Sequence, residues 1–307
     1  MKIGVLFNCQ FDGLTRALAF LLPRHEVIGF ELSRLVHNQA ALSAAKEALE
    51  GCDVTLSLPA GPRFEGLSNE ALRASCRRLL LLPPVTFSGF HPDTVYVTGA
   101  DKVHRLGPTG AYHSRLIVLA YLGGLGIDEA TGLFNALVFA RLGYFTAFER
   151  DRALLCGQFA RFGIDIGPVF KDWEASGCFM YSMNHPKIHV LQDLAKLACH
   201  LMNLDPCREP IPPMNDNLEA YPRHPVPEPL ARRLGVPIEA DFIRRRRPGE
   251  IVRPLALRDF VAESYAVYRS IERDVLTRVD GVTAAARRLP IAIDADDARS
   301  RETGPAR

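Results

Sequence analysis

In the first hundred residues, short apolar runs alternate with stretches of helical spacing, and this alternation restricts the fold more than any other feature. Lys2–Phe7 reads as a strand, and Leu14, Leu18, Leu21 and Leu22 mark one face of the helix after it. Glu26–Leu32 (EVIGFEL) is a second strand, and Asp53–Leu58 (DVTLSL) a third. Between them Ala40–Leu49 is an alanine-rich helix closed by Gly51, a residue suited to a left-handed helix end. Strands separated by helical stretches of about 10–15 residues imply βαβ units and a parallel sheet. Ala71–Leu82 continues the pattern as a helix, with PPVTF and TVYVT as further strands.

The middle of the chain is helical. Tyr112–Leu122, Asp128–Leu142 and Ala147–Phe162 carry apolar residues at spacings of three and four. Thr146 with Glu149 forms a capping-box pattern, and Pro186–Asn203 is a helix with proline at its first position. Ten of the 22 prolines fall between Asp205 and Glu250, which predicts an extended surface segment, followed by a helix over Leu257–Val279. The expectation is an α/β fold: a small parallel-sheet subdomain over residues 1–105 joined to a mainly helical cradle. The helical region spans 106–205, a proline-rich segment plus helix packs back over 206–291, and residues 292–307 are expected as a polar, disordered tail.

Composition excludes several classes. The net charge of +2 argues against a dedicated nucleic-acid binder. The apolar run after Met1-Lys2 is too short for a signal peptide, and no stretch is long enough to span a membrane. Seven irregularly spaced cysteines speak against a disulfide framework and for the cytoplasm.

Cys9 stands where the first strand hands over to a helix, the edge at which open α/β sheets gather ligands. There the helix N-terminus should favour the thiolate, and Asn8 and Gln10 offer amide donors to an oxyanion. Cysteine is also an ordinary small core residue. His185, in MNHPKIHVLQDL, is placed as the N-cap of the Pro186 helix, where the same dipole keeps it neutral and usable as a base. His91, in FSGFHPDTVYV, is a further candidate, with Asp93 two residues away to orient it or merely to make a turn. His185 with His189, and Cys199 with Cys207, lack the spacing of a metal site, so no metal is expected. Lys102, Arg105, His113, Ser114 and Arg115 cluster around a strand end and a helix start that could receive an anion. The run Arg244–Arg247 reads as a solvated face. GGLG (Gly123–Gly126) joins two helices and is no dinucleotide fingerprint.

Three segments together, FNCQFDGLTRAL, FSGFHPDTVYV with YHSRLIVLAYLGGLGIDEA, and MNHPKIHVLQDLAKL, resemble the WcbI-type capsular-polysaccharide biosynthesis family over residues 3 to about 204. The resemblance implies coenzyme A as a substrate and an O-acetyltransferase that delivers acetyl to a hydroxyl of a bacterial capsule sugar. The acceptor is a sugar or polysaccharide, with other capsule-assembly proteins as partners. It implies that Cys9 lines the coenzyme A pocket with His185 or His91 beside it. Asn8, Gln10 and Asn184 would serve oxyanion or substrate. Lys102, Arg105, His113, Ser114, Arg115 and Lys187 would serve the phosphates. The family's first strand usually ends in Gly-Asn-Cys-Gln, whereas Phe7 stands at the glycine position here.

Two routes are open on these residues. Cys9 accepts the acetyl group as a thioester and passes it on, the route the near-isoenergetic exchange favours slightly, or a histidine activates the sugar for direct attack. Two other classes share the layout: a thiol esterase or deacetylase resembling Gly-Asp-Ser hydrolases, and a non-catalytic coenzyme-A-binding subunit of a capsule complex.

Overall fold

The computed structural model describes residues 1–36, 38–246 and 253–293. Arg247 and the tail from residue 294 onward therefore lie outside the described residues.

Residues 1–87 form β1 (Lys2–Phe7), α1 (Phe11–Leu21), β2 (Glu26–Glu31), α2 (Leu32–Leu35), α3 (Gln39–Glu50), β3 (Val54–Ser57), α4 (Asn69–Ser75) and β4 (Leu79–Leu81). Then come β5 (Thr94–Tyr96), β6 (Tyr112–Ser114), α5 (Arg115–Leu122), α6 (Ile127–Gly132), α7 (Ala136–Leu142) and α8 (Ala147–Ala160). They are followed by α9 (Gly167–Ala175), β7 (Met180–Ser182), β8 (His185–Pro186) and α10 (Ile188–Met202). The chain finishes with α11 (Glu228–Leu234), α12 (Leu257–Tyr268), α13 (Arg273–Thr277) and α14 (Val282–Arg288). These elements sort into two compact units made of non-contiguous stretches, where composition suggests consecutive blocks. The first holds residues 1–87, 153–180 and 184–219, and the second holds 88–152, 181–183 and 220 onward.

The first unit contains the parallel sheet, in the order β2-β1-β3-β4. Its register sets Phe7 beside Glu31, and Leu6 beside Ser57. β1 is central, and Ile3, Val5, Leu6 and Phe7 are fully buried, as a strand covered on both faces requires. Chain direction across the sheet reverses at β1, so Asn8 and Cys9 emerge at the topological switch point. Leu6, Leu32, Leu35, Ala45, Leu49 and Leu72 pack one core cluster. Phe87, Phe170, Trp173 and Phe179 form an aromatic cluster, with Phe87 and Phe179 centroids 5.1 Å apart.

Glycine lets α1 approach α10 closely. A Cβ on Gly13 would lie 2.6 Å from Leu191 Cδ1 and 3.0 Å from Ile188 Cδ1. In the second unit β5 pairs antiparallel with β6, and Ile117, Val118, Phe260, Tyr268, Leu276 and Val282 belong to its core. Among the described residues no helix is long and apolar enough to cross a membrane.

Several elements differ from the sequence expectation. The helix expected over Ala71–Leu82 ends at Ser75, and Leu79–Leu81 pair with β3 as a fourth parallel strand, tertiary pairing overriding leucine's helical preference. PPVTF makes no strand, since two prolines remove ladder donors. Gly51 closes α3 in the right-handed region, φ −76°, without the left-handed turn. Tyr112–Ser114 is strand before α5 begins, and the helix expected over Leu257–Val279 breaks into α12 and α13. Thr146 donates its hydroxyl to Gly143 O and makes no capping box.

Gly13→Val should destabilise the protein by about 2 kcal/mol, the usual cost of overpacking, although valine is the better helix former. Urea denaturation should show the midpoint falling; an unchanged midpoint would mean that α1 and α10 are not closely packed there.

Candidate functional site

The turn after β1 is built by its own side chains. Asn8 O accepts from Phe11 N at 2.9 Å, and Asn8 Oδ1 accepts from Gln10 N at 3.0 Å. The chain is thereby swung into α1 within three residues. Gln10 is completely buried, and its amide is fully committed. Nε2 donates to Val85 O at 2.8 Å and to Asn184 O at 3.1 Å, while Oε1 accepts from Val85 N at 3.1 Å. Gln10 thus draws together three stretches distant in sequence, and one of them leads straight into His185. With both amide hydrogens spent, it is a clamp and not the oxyanion donor its position suggests. Asn8 Nδ2 has no partner among the described residues and keeps two hydrogens to donate.

Cys9 is half-buried between these two residues. Its thiol is pushed up to about 12, first by burial and then by the charge of Glu31, against a small opposing contribution from its own backbone N–H. The expected helix-stabilised thiolate is therefore absent, and at neutral pH the sulfur is a thiol. Sequence reasoning does not single out Glu31. Its signal is there all the same, a carboxylate closing an apolar strand at the ligand edge of the sheet.

His185 is buried, with 3% exposure, and belongs to β8, not to a helix N-cap. α10 starts later, with Lys187 as its N-cap residue. The first helical N–H, that of Ile188, is taken by Asp216 Oδ2 at 2.7 Å, so the proline-rich segment supplies the cap. Because His185 precedes α10, it does not share a helical face with His189, whose Nε2 lies 3.2 Å from Ser176 Oγ. Among the described residues no group of three His, Cys, Asp or Glu side chains could hold a metal ion.

The second unit holds the other candidates. His91 is buried, and its Nε2 lies 2.9 Å from His224 O. A carbonyl only accepts, so Nε2 carries the proton and Nδ1 has a bare lone pair. That Nδ1 is buried without a partner. Asp93 does not orient this histidine. Its carboxylate instead takes Ser114 Oγ, Tyr144 OH at 2.8 Å and Leu116 N at 3.0 Å. Burial raises the Asp93 carboxyl, and these donors with Arg115 work against that.

This network removes most of the expected phosphate contacts. Ser114 caps α5 by accepting from Ile117 N at 3.1 Å, and Asp93 fills the rest of that helix start, so an outside anion finds no open N–H there. Arg115 reaches Pro92 O at 3.0 Å and Asp280 O at 2.8 Å and is largely covered. His113 is fully buried between Tyr268 OH and Arg105 O, and burial lowers its pKa. Arg105 pairs with Asp101 at 3.0 Å on the surface. Lys102 stands exposed in a left-handed turn, φ 62°, with no partner for its ammonium among the described residues.

A parallel sheet with a clamped, thiol-bearing turn at its switch point defines an α/β protein whose sheet edge carries a thiol and polar side chains. The sequence profile described as the polysaccharide biosynthesis enzyme WcbI matches residues 2–206, and the chain belongs to this family. The solved structure of native WcbI, described as a novel polysaccharide biosynthesis enzyme without a disulfide bond between coenzyme A and a cysteine of that protein, shares the fold at a TM-score of 0.66. The match covers 94% of this chain and 98% of the other at 15% identity, so the two are separate proteins of one fold. A comparison with curated proteins finds no match.

His91 makes the fold acid-sensitive. Burial holds its pKa at about 4, below its ordinary 6.5. Between those values the unfolded chain binds a proton that the folded one refuses, so stability falls as pH drops through this window, by about 3 kcal/mol in all. Urea midpoints measured from pH 7 to 4 should decline less steeply for His91→Gln than for the native protein. Parallel slopes would contradict the buried, neutral imidazole.

Proposed function

We propose that this protein transfers an acetyl group from acetyl-coenzyme A to a sugar hydroxyl in polysaccharide biosynthesis. The observation that carries the reading is the Gln10 clamp, which fastens the Asn8–Cys9 turn to the Asn184–His185 segment within one unit. Family membership supplies the polysaccharide setting, and the coenzyme A named with the WcbI structure supplies the donor class.

Acetyl transfer needs a base for the hydroxyl and donors for the tetrahedral oxyanion. His185 is the base in this reading, taking the sugar proton as the oxygen attacks the thioester carbonyl. Asn8 Nδ2, with both hydrogens uncommitted among the described residues, receives the oxyanion. Coenzyme A leaves as its thiolate and takes up the proton that His185 holds. Of the basic residues considered for the phosphates, Lys187 belongs to the same unit and stands at the N-cap of α10. Cys9, held as a thiol, lines the site, which favours direct transfer over an acetyl-cysteine.

Purified protein, acetyl-coenzyme A and oligosaccharide acceptors from capsule should yield free coenzyme A and an O-acetyl ester. His185→Ala should lower turnover about 10²- to 10⁴-fold, the usual loss of a general base, while Cys9→Ala stays within about tenfold of native. Mass spectrometry under single turnover should find no acetyl on Cys9. An acetyl-Cys9 adduct that chases onto the sugar would replace direct transfer with the covalent route. Hydrolysis of simple aryl esters without any response to coenzyme A would replace the transferase with an esterase.

A further inference from the structure

Glu31 is a carboxylate in a place where stability alone does not call for one. Its side chain is 9% exposed at the carboxyl end of β2. Oε1 accepts from Ser33 Oγ at 2.7 Å. Oε2 lies 2.6 Å from Arg34 Nε but outside hydrogen-bond geometry, so it is a buried acceptor with a charge alongside and no donor. Glu31 is also the N-cap residue of α2, yet its side chain makes no capping bond. Burying a charge with one good hydrogen bond is costly, and an apolar residue there would pack at less expense.

The direction in which Glu31 points follows from strand alternation. A Cβ on Gly29 would run into Thr15 of α1, which identifies that side of β2 as the α1 face. Glu31 is two residues on and so lies on the same face. Two strand residues advance about 6.7 Å, close to the rise of one helical turn, and α1 runs antiparallel to the strands. One turn before Thr15 is Phe11, which directly follows Cys9 and Gln10. The carboxylate therefore faces the start of α1 and the thiol-bearing turn. The charged and titratable groups at this edge are Glu31 and Arg34 from the β2–α2 turn, Asp12 and Arg16 from α1, which pair at 2.8 Å, His185 and Lys187 from the segment before α10, and Asp216 from the proline-rich segment that caps it.

We propose that Glu31 is a positioning residue that acts through Cys9: its carboxylate faces the thiol-bearing turn and adds to burial in opposing negative charge on the sulfur, which disfavours acyl capture by Cys9 and leaves the acetyl group to the acceptor hydroxyl. The consequence rests on the acyl-transfer reading. A thiolate at this position would attack the thioester carbonyl, the acyl–Sγ bond forming as the bond to the coenzyme A sulfur breaks and coenzyme A leaves as thiolate. The field of Glu31 at the turn opposes that thiolate.

The test uses the full chain without coenzyme A, so it stands or falls apart from the transferase reading. Iodoacetamide alkylation of the Cys9 peptide, followed by mass spectrometry across pH 6–10, reports the thiolate fraction at this one cysteine. Glu31→Gln should accelerate alkylation several-fold at pH 8, because the charge that opposes the thiolate is gone, and Glu31→Asp should restore a near-native profile. Arg34→Ala removes the cation beside Oε2 from an exposed position that the fold does not need, and should slow alkylation about twofold to threefold. Profiles that superimpose on the native one for both Glu31→Gln and Arg34→Ala would overturn the assignment; so would slower alkylation in Glu31→Gln.

Discussion

The candidate site depends on one buried primary amide. Gln10 makes three hydrogen bonds with one side chain, donating to two carbonyls and accepting from one N–H, on segments 75 and 174 residues away. Each such bond contributes little net stability, but each would be expensive to leave half-made in a buried setting. The amide therefore acts as a specificity device, accepting one arrangement of the β1–α1 turn, the Val85 backbone and the Asn184 carbonyl. A hydrophobic residue of similar size would fill the space without fixing how these segments meet. Because Cys9 adjoins Gln10 and His185 adjoins Asn184 in sequence, that constraint decides where thiol and imidazole stand.

Internal carboxylates dominate three helix starts. Asp93 fills the N-terminus of α5, Asp216 caps α10 from the proline-rich segment, and Glu31 faces the start of α1. A helix N-terminus attracts negative charge whether the charge comes from a ligand or from the chain itself. Read from sequence, two of these starts suit a phosphate or a thiolate. In the fold the attraction of the α5 start is met by Asp93. At α1 the carboxylate of Glu31 faces the turn from which a thiolate would benefit.

The three strands of the first sixty residues and the helices α1 and α3 are legible directly, because a period-two or buried run followed by an amphipathic helix has few other solutions. The leucines at 79–81 are not, since an unbroken apolar run fits helix and strand alike until β3 is present to pair with it. The start of α10 falls two residues later than sequence suggests, because Pro186 fits a first helical turn as well as a strand end. Cys9 and His185 are visible as a strand end and a polar segment before a helix. What sequence hides is which polar atoms are already spent. Gln10, Ser114, Arg115 and His113 look like ligand-binding groups in a sequence and are hydrogen-bonded within the chain, to partners from a few to 174 residues away. Glu31 is hidden by the opposite error, a charged residue passed over as the ordinary end of a strand.

The account stands on the claim that the clamped turn and the segment it holds receive the acyl donor. Hydrogen exchange measured by mass spectrometry in free and coenzyme-A-saturated protein tests this most directly. Exchange should slow at the amides of Cys9–Gly13 and Asn184–Ile188, where the clamped turn and the His185 segment meet the ligand. Bound coenzyme A that leaves exchange in both stretches unchanged would contradict the claim.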